Sequence, residues 1–218
     1  MEGDKIDLSQ QGLYATIDWV VNEEIKGFYQ QALENAPPEF WKAPASSSGK
    51  YHGPENNIKG GLANVHTVKA VMAAFEFAEH EYSQMPAGKK NLMRDVCVVA
   101  AGCHDIKKGG EPWDRYDPEH GPLAAGWLCN FPLEDAAKEM IAEAVYYHMN
   151  RLHPDWERKK ALHPKRHRHV LIVQYADIAA SRKAASYLPG VPVSGGKIRA
   201  YSAADVRRAR GMLWERES

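Results

Sequence analysis

The chain has 218 residues, in which 28 lysines and arginines balance 28 aspartates and glutamates and 44% of positions are hydrophobic. That length is enough for one domain with a substantial core, and the composition is that of an ordinary water-soluble globular protein. A formal net charge of zero argues against bulk electrostatic attraction to duplex nucleic acid, which needs many uncompensated cations.

Apolar positions at helical spacing (Leu13, Ile17, Val20, Val21, Ile25, Phe28) predict a helix from about Leu8 to Glu34, ending before Pro37-Pro38. Ala45 to Gly61, rich in Gly, Ser and Asn, reads as a long loop. Leu62 to Tyr82 is the next helix, and Lys90 to Ile106 the one after. The second of these contains VCVVAAGC, apolar almost all round, which marks a buried central helix. Helical stretches follow near Gly121–Asn130 and Leu133–Met149, then a basic, histidine-rich connection from Arg151 to His169. Val170 to Tyr187 is helical, LPGVPVSGGK is a loop, and Ala203 to Arg216 forms a terminal helix with Ser202 as its N-cap. VCVV and VLIV have the composition of short strands, but each continues into alanine-rich, helix-favouring sequence. The expectation is therefore an all-α, single-domain helical bundle over residues 1–218, with its core at about 60–187.

Three cysteines without CxxC spacing (Cys97, Cys103, Cys129) give no disulfide framework. The N-terminal MEGDKIDLSQ lacks a basic stretch followed by an apolar one, and no apolar run has the length of a membrane span. A cytoplasmic, reducing location with no membrane partner is expected.

The chemistry lies in ionisable residues embedded in apolar helices. His104-Asp105 closes the most hydrophobic helix, His66 interrupts the one before it, His148 ends a later one, and Asp177 breaks VLIVQYADIAA. Each would cost several kcal/mol in a core unless paired or bound to a metal. A lone core histidine is ordinarily satisfied by a backbone carbonyl, but such positions on successive helices point to a common ligand. Imidazole nitrogen and carboxylate oxygen suit Mn, Fe, Co, Ni and Zn, and bundle helices project ligands inward towards one point.

The order His66, His104-Asp105, Asp177 resembles the H…HD…D signature of the HD superfamily of metal-dependent phosphohydrolases. GGLANVHT resembles the GGL-x-x-HT segment found in its members, including YhaM-like exonucleases, and VVAAGCHDIKK resembles the LLHDIGK-type block. EHGPLAAGWL, AVYYHMN and LIVQYADIAASR resemble the corresponding blocks of the YqeK-like, two-metal members. Together these span about Gly60 to Arg182. The resemblance implies an HD-type bundle with one or two divalent transition metal ions at its centre. His66, His104, Asp105 and Asp177 would hold the first ion. His120 and His148 match the extra histidines of the two-metal subgroup, with Asp105 as the bridge. Asp105 would also help to orient an attacking water, whose pKa a metal lowers, and Lys108 would contact a substrate phosphate. Lys107 stands where many relatives have glycine, so the turn after the ligand pair is expected to differ.

Lys50 and His52, in the loop before the first ligand helix, are candidate substrate-binding residues alongside Lys108. The basic segment 151–169 is a candidate lid over an anionic substrate or a single-strand contact. Its His153, His163, His167 and His169 lie in hydrophilic surroundings and are not counted as ligands. The leading expectation is hydrolysis of a nucleotide-type phosphoester by a metal-activated water. A 3′-5′ exonuclease acting on short single-stranded nucleic acid is the runner-up. The same ligand order would also serve a di-iron oxygenase on this scaffold, and a degenerate site would serve a non-catalytic sensor. The oligomeric state is left open, a homo-oligomer included.

Overall fold

The computed structural model describes residues 12–46, 52, 54–114, 116–149 and 167–181, and every regular element among them is helical. The described residues hold seven α-helices: α1 (Glu23–Glu34), α2 (Pro38–Lys42), α3 (Val68–Glu81), α4 (Ala87–Cys103), α5 (His120–Leu128), α6 (Asp135–Tyr146) and α7 (Arg168–Ser181). The all-α expectation holds, and VCVV and VLIV are helical, inside α4 and α7. The terminal helix expected at 203–216 lies outside the described residues, as do 151–166.

Helix α4 is the central element. Its last ten residues, Arg94 to Cys103, are all buried, and it packs against α1, α3, α6 and α7. Helices α3 and α7 lie against each other, and α5 rests on α6. The amphipathic α1 buries Ile25, Phe28, Tyr29, Ala32 and Leu33, the spacing of a single helical face. Cys97 and Cys103 are buried free thiols in α4, and Cys129 is exposed. No described helix is long and apolar enough to cross a membrane.

The single N-terminal helix expected over 8–34 is instead broken. A 3-10 segment, Tyr14–Trp19, ends at Val20 in extended conformation (φ −83°, ψ 123°), and α1 starts three residues later. Two capping interactions make the break. The Asn22 side chain accepts hydrogen bonds from the backbone N–H groups of Glu24 and Ile25, both at 3.0 Å. Asp95 of α4, fully buried, accepts from the N–H groups of Val21 at 2.9 Å and Asn22 at 2.8 Å. Apolar periodicity does not register either one. Asn22→Ala is expected to lower unfolding free energy by about 1 kcal/mol, the usual loss at an N-cap, with Asn22→Asp nearly neutral; urea denaturation of the two variants checks this.

Next to this junction, Arg94 reaches Glu79 at 2.9 Å and Asp95 at 3.2 Å, while Lys90 bonds Glu79 at 3.1 Å. Burial alone would raise the Glu79 carboxyl; the hydrogen bonds from Arg94 and Lys90 outweigh it and hold the group below its ordinary range. The sign follows: this α3–α4 link contributes above the ordinary carboxylate range and is lost as pH falls through the depressed value.

The helix expected over 62–82 begins with a π-helical segment, Leu62–Thr67, that runs directly into α3. The widened turn leaves the Leu62 carbonyl to accept the Thr67 hydroxyl at 2.9 Å. Among the described residues of the loop expected at 45–61 there is one short 3-10 turn, Pro54–Asn57.

Candidate metal centre

Six ionisable side chains from five parts of the chain meet beside the end of α4. His66 comes from the π-helical segment, a kind of turn frequent at functional sites. His104 and Asp105 lie immediately past the last residue of α4. His120 is the first residue of α5, His148 lies just past the end of α6, and Asp177 is within α7. His66, His104, Asp105, His120 and His148 are at most 2% exposed; the Asp177 side chain retains 23% exposure. Gly121 permits part of this convergence. A Cβ there would stand 2.9 Å from the Tyr146 carbonyl, so its absence lets the start of α5 approach the end of α6 and brings His120 to His148.

The donors form two groups that could each hold a metal ion: His66, His104 and Asp177, and Asp105, His120 and His148, with the ligand atoms of each within 4.8 Å of one another. In the first group the His66 Nε2 lies 3.3 Å from the His104 Nε2 and 3.2 Å from the Asp177 Oδ1. In the second the Nε2 atoms of His120 and His148 are 3.1 Å apart. Asp105, a member of the second group, also reaches the first. Its Oδ2 is 3.3 Å from the Nε2 of His66 and of His104, and its Oδ1 is 3.1 Å from His120 and 3.8 Å from His148. Ligand atoms about 2.0–2.2 Å from one ion in tetrahedral array lie roughly 3.3–3.6 Å from each other, within the 3.1–3.8 Å range of the separations here.

The tautomers are set from behind. Nδ1 of His104 donates to the Ala101 carbonyl at 2.6 Å, that of His120 to the Asp117 carbonyl at 2.5 Å, and that of His148 to the Val145 carbonyl at 2.7 Å. A carbonyl only accepts, so each of these Nδ1 atoms carries a proton, and each ring, when neutral, aims an Nε2 lone pair into the centre. Such backbone bonds orient metal-ligating histidines. Two lone pairs facing each other at 3.1 Å between His120 and His148 are mutually repulsive unless a cation or proton stands between them.

The electrostatics make the same demand for positive charge. Burial would raise the Asp105 carboxyl, but the neighbouring Lys108 ammonium and His104 hold it well below its ordinary range. Burial likewise opposes ionisation of Asp177, and His104 and His66 overcome it. Burial would lower the His104 imidazole, yet the two carboxylates raise it to about 10. His148 goes the other way, lowered by burial and by the neighbouring His120 and His104. A proton on His104 and the Lys108 ammonium together offset the two carboxylates, and cation binding would displace the proton.

Lys108 extends its ammonium to the Asp105 Oδ2 at 2.6 Å. His52 is 8% exposed and sets its ring edge-to-face on His66 at 4.9 Å between centroids. Burial, followed by His66 and Lys108, lowers its pKa to about 4. Lys50 lies outside the described residues. The turn after Asp105 accommodates lysine at 107 because the side chain is buried, bonding Glu111 at 3.3 Å and lying 5.4 Å over the Trp127 ring, while Gly110 supplies the positive φ of 79° three residues on.

Two features escape a reading of the sequence. Tyr116, 45% exposed, lies against His120 at 5.5 Å between ring centroids. Its phenol is raised first by burial and then by the carboxylates of Asp105 and Asp177. Its only signal in the sequence is an aromatic residue in a polar loop. His167 and His169 donate to the Glu143 carboxylate at 2.9 and 2.8 Å, fastening the start of α7 to α6. This accounts for two histidines not counted as ligands; His153 and His163 lie outside the described residues.

In comparisons with family models, curated proteins and solved structures, the chain matches none. The functional reading therefore rests on the residues themselves.

Proposed function

We propose that the chain is a metal-dependent phosphohydrolase of the HD type, acting on a small nucleotide-type phosphoester. The observation that carries the reading is the Asp105 carboxylate, with one oxygen in each of two His-rich groups that could hold divalent ions. Such donors would suit two neighbouring divalent ions, the kind of site that two-metal phosphoester chemistry uses. The order of the ligands along the chain resembles the HD pattern, and an all-helical fold is compatible with it.

When bound, the ions would supply Lewis acidity, lowering the pKa of a ligated water and neutralising charge on phosphoryl oxygens. The remaining work falls to the chain. His66, His104 and Asp177 would hold one ion, and His120 and His148 the other, with Asp105 common to both. Asp105 orients the attacking water for in-line displacement, a reaction governed by positioning and electrostatics. Lys108, held over the Asp105 Oδ2, presents a cation to a phosphoryl oxygen, and His52 lines the His66 side.

The test is to strip the metal and reload separately with Mn, Fe, Co, Ni and Zn. Each sample is assayed on nucleoside mono- and triphosphates, cyclic nucleotides, dinucleoside polyphosphates and short single strands. Cleavage that depends on the ion supports the reading, and the member cleaved names the linkage. A folded, metal-loaded protein that cleaves none of them, and consumes oxygen when loaded with iron, would refute it. Lys108→Met is expected to raise KM by about 10- to 100-fold, the range for a lost hydrogen bond to a charged group. Metal stoichiometry should stay unchanged, as elemental analysis would report.

A further inference from the structure

We infer that Tyr116 is the residue that selects an aromatic group on the substrate: its exposed ring, fixed beside the centre, stacks a nucleobase while the phosphoryl group lies on the metal side. The inference rests on the phosphohydrolase reading of the same site and adds a specificity residue to it.

The fold does not use Tyr116 as core. Among the described residues, the large hydrophobic side chains that stand exposed are Val21, Ile58, Tyr116 and Tyr175. Of these, Tyr116 is the one in ring contact with a residue of the metal centre, His120. Tyr175 lies two residues from Asp177 in α7, about 200° around the helix from it at 3.6 residues per turn. The loop bearing Tyr116 is tied down on both sides. The Asp117 N–H bonds the Lys108 carbonyl at 2.9 Å, the Asp114 N–H bonds the Gly109 carbonyl at 2.8 Å, and the His120 N–H returns to the Asp117 carbonyl at 3.2 Å. The Asp117 carboxylate also accepts from the Glu119 N–H at 2.7 Å. A platform already held in place loses little entropy when a ligand settles on it.

The polarity of the surroundings gives the substrate a direction. Lys108 meets the Oδ2 side of Asp105, whereas Tyr116 meets the imidazole that contacts Oδ1. An anionic group therefore has its cation on one side of the centre, and an aromatic group its partner on the other. A sugar phosphate satisfies the first contact alone; a nucleotide satisfies both.

The experiment measures affinity, as Kd by calorimetry or as KM where the ligand turns over. It uses the manganese-loaded full chain with adenosine 5′-monophosphate and with ribose 5-phosphate. Wild type is expected to favour the nucleotide by about tenfold, the scale of one base–aromatic stack. Tyr116→Ala should erase that preference by weakening the nucleotide alone, and Tyr116→Phe should retain it. A ratio unchanged in Tyr116→Ala overturns the inference, as does a Tyr116→Phe that loses affinity for both ligands, which would assign the hydroxyl to the phosphate instead. Because the preference is a ratio of affinities that calorimetry reads even when nothing is cleaved, these outcomes are separable from failure of the hydrolase reading, which shows as no cleavage of any phosphoester by the loaded wild type.

Discussion

Asp105→Ala is expected to lower kcat/KM for phosphoester hydrolysis by at least about a thousandfold, roughly 4 kcal/mol of transition-state stabilisation, and to reduce the number of ions bound. The two effects have one origin. Asp105 faces His66 and His104 through Oδ2 and His120 and His148 through Oδ1. Without it, the first group keeps His66, His104 and Asp177, and the second is left with two histidines whose lone pairs oppose each other. The variant should retain at most one ion after dialysis, measured by elemental analysis beside the rate. Ions that bind only the folded state also raise thermal stability by mass action, so manganese should raise the Tm of wild type more than that of the variant. Near wild-type activity in Asp105→Ala, with two ions retained, would remove the shared carboxylate from the mechanism. Lys108→Met separates the roles, since it is expected to weaken substrate binding and leave the ions in place.

What is legible in the sequence divides along physical lines. The central helix is visible because VCVVAAGC is apolar on every side, and burial from Arg94 to Cys103 follows from that. Five of the six converging residues, His66, His104, Asp105, His148 and Asp177, are visible for the converse reason, since an ionisable group among hydrophobes has to be answered by a partner. His120 sits in the polar stretch YDPEHGP and is marked only by the resemblance to the two-metal pattern. Interactions between distant segments are not visible. The break before α1 is made partly by Asp95, more than seventy residues away along the chain. The π-helical turn under His66 depends on backbone geometry that periodicity averages over. His167 and His169 sit in a polar stretch and give no sign that Glu143 binds both. Tyr116 is hidden because its importance is one of position beside His120, on a loop whose shape comes from backbone bonds to Lys108 and Gly109.

The same close packing that forms the centre makes Gly102→Ala a costly substitution for the fold, expected to lose about 2–4 kcal/mol of unfolding free energy. A Cβ at Gly102 would stand 2.1 Å from the Tyr29 Oη, 2.5 Å from Cζ and 2.6 Å from Cε2. Tyr29 has no room to yield: it is fully buried, and its hydroxyl is held at 2.9 Å by Thr16, whose own Oγ1 bonds the Leu13 carbonyl at 2.6 Å. Overpacking of this kind costs about 1–3 kcal/mol, and a buried hydroxyl pushed off its partner about 1–3 more. Against these, alanine is the better helix former by up to about 1 kcal/mol, so the balance is a loss. Gly27→Ala and Gly126→Ala isolate the propensity contribution, because a Cβ at either position meets nothing within 4 Å; both variants should be neutral or more stable in urea. Gly102 lies two residues before His104, so a protein that relieves the clash by moving the end of α4 instead of Tyr29 must displace His104 and Asp105. Its metal affinity should then fall together with its stability. Retained affinity with lost stability would place the movement at Tyr29, and a Gly102→Ala as stable as Gly27→Ala would show that α1 does not pack on α4 as described.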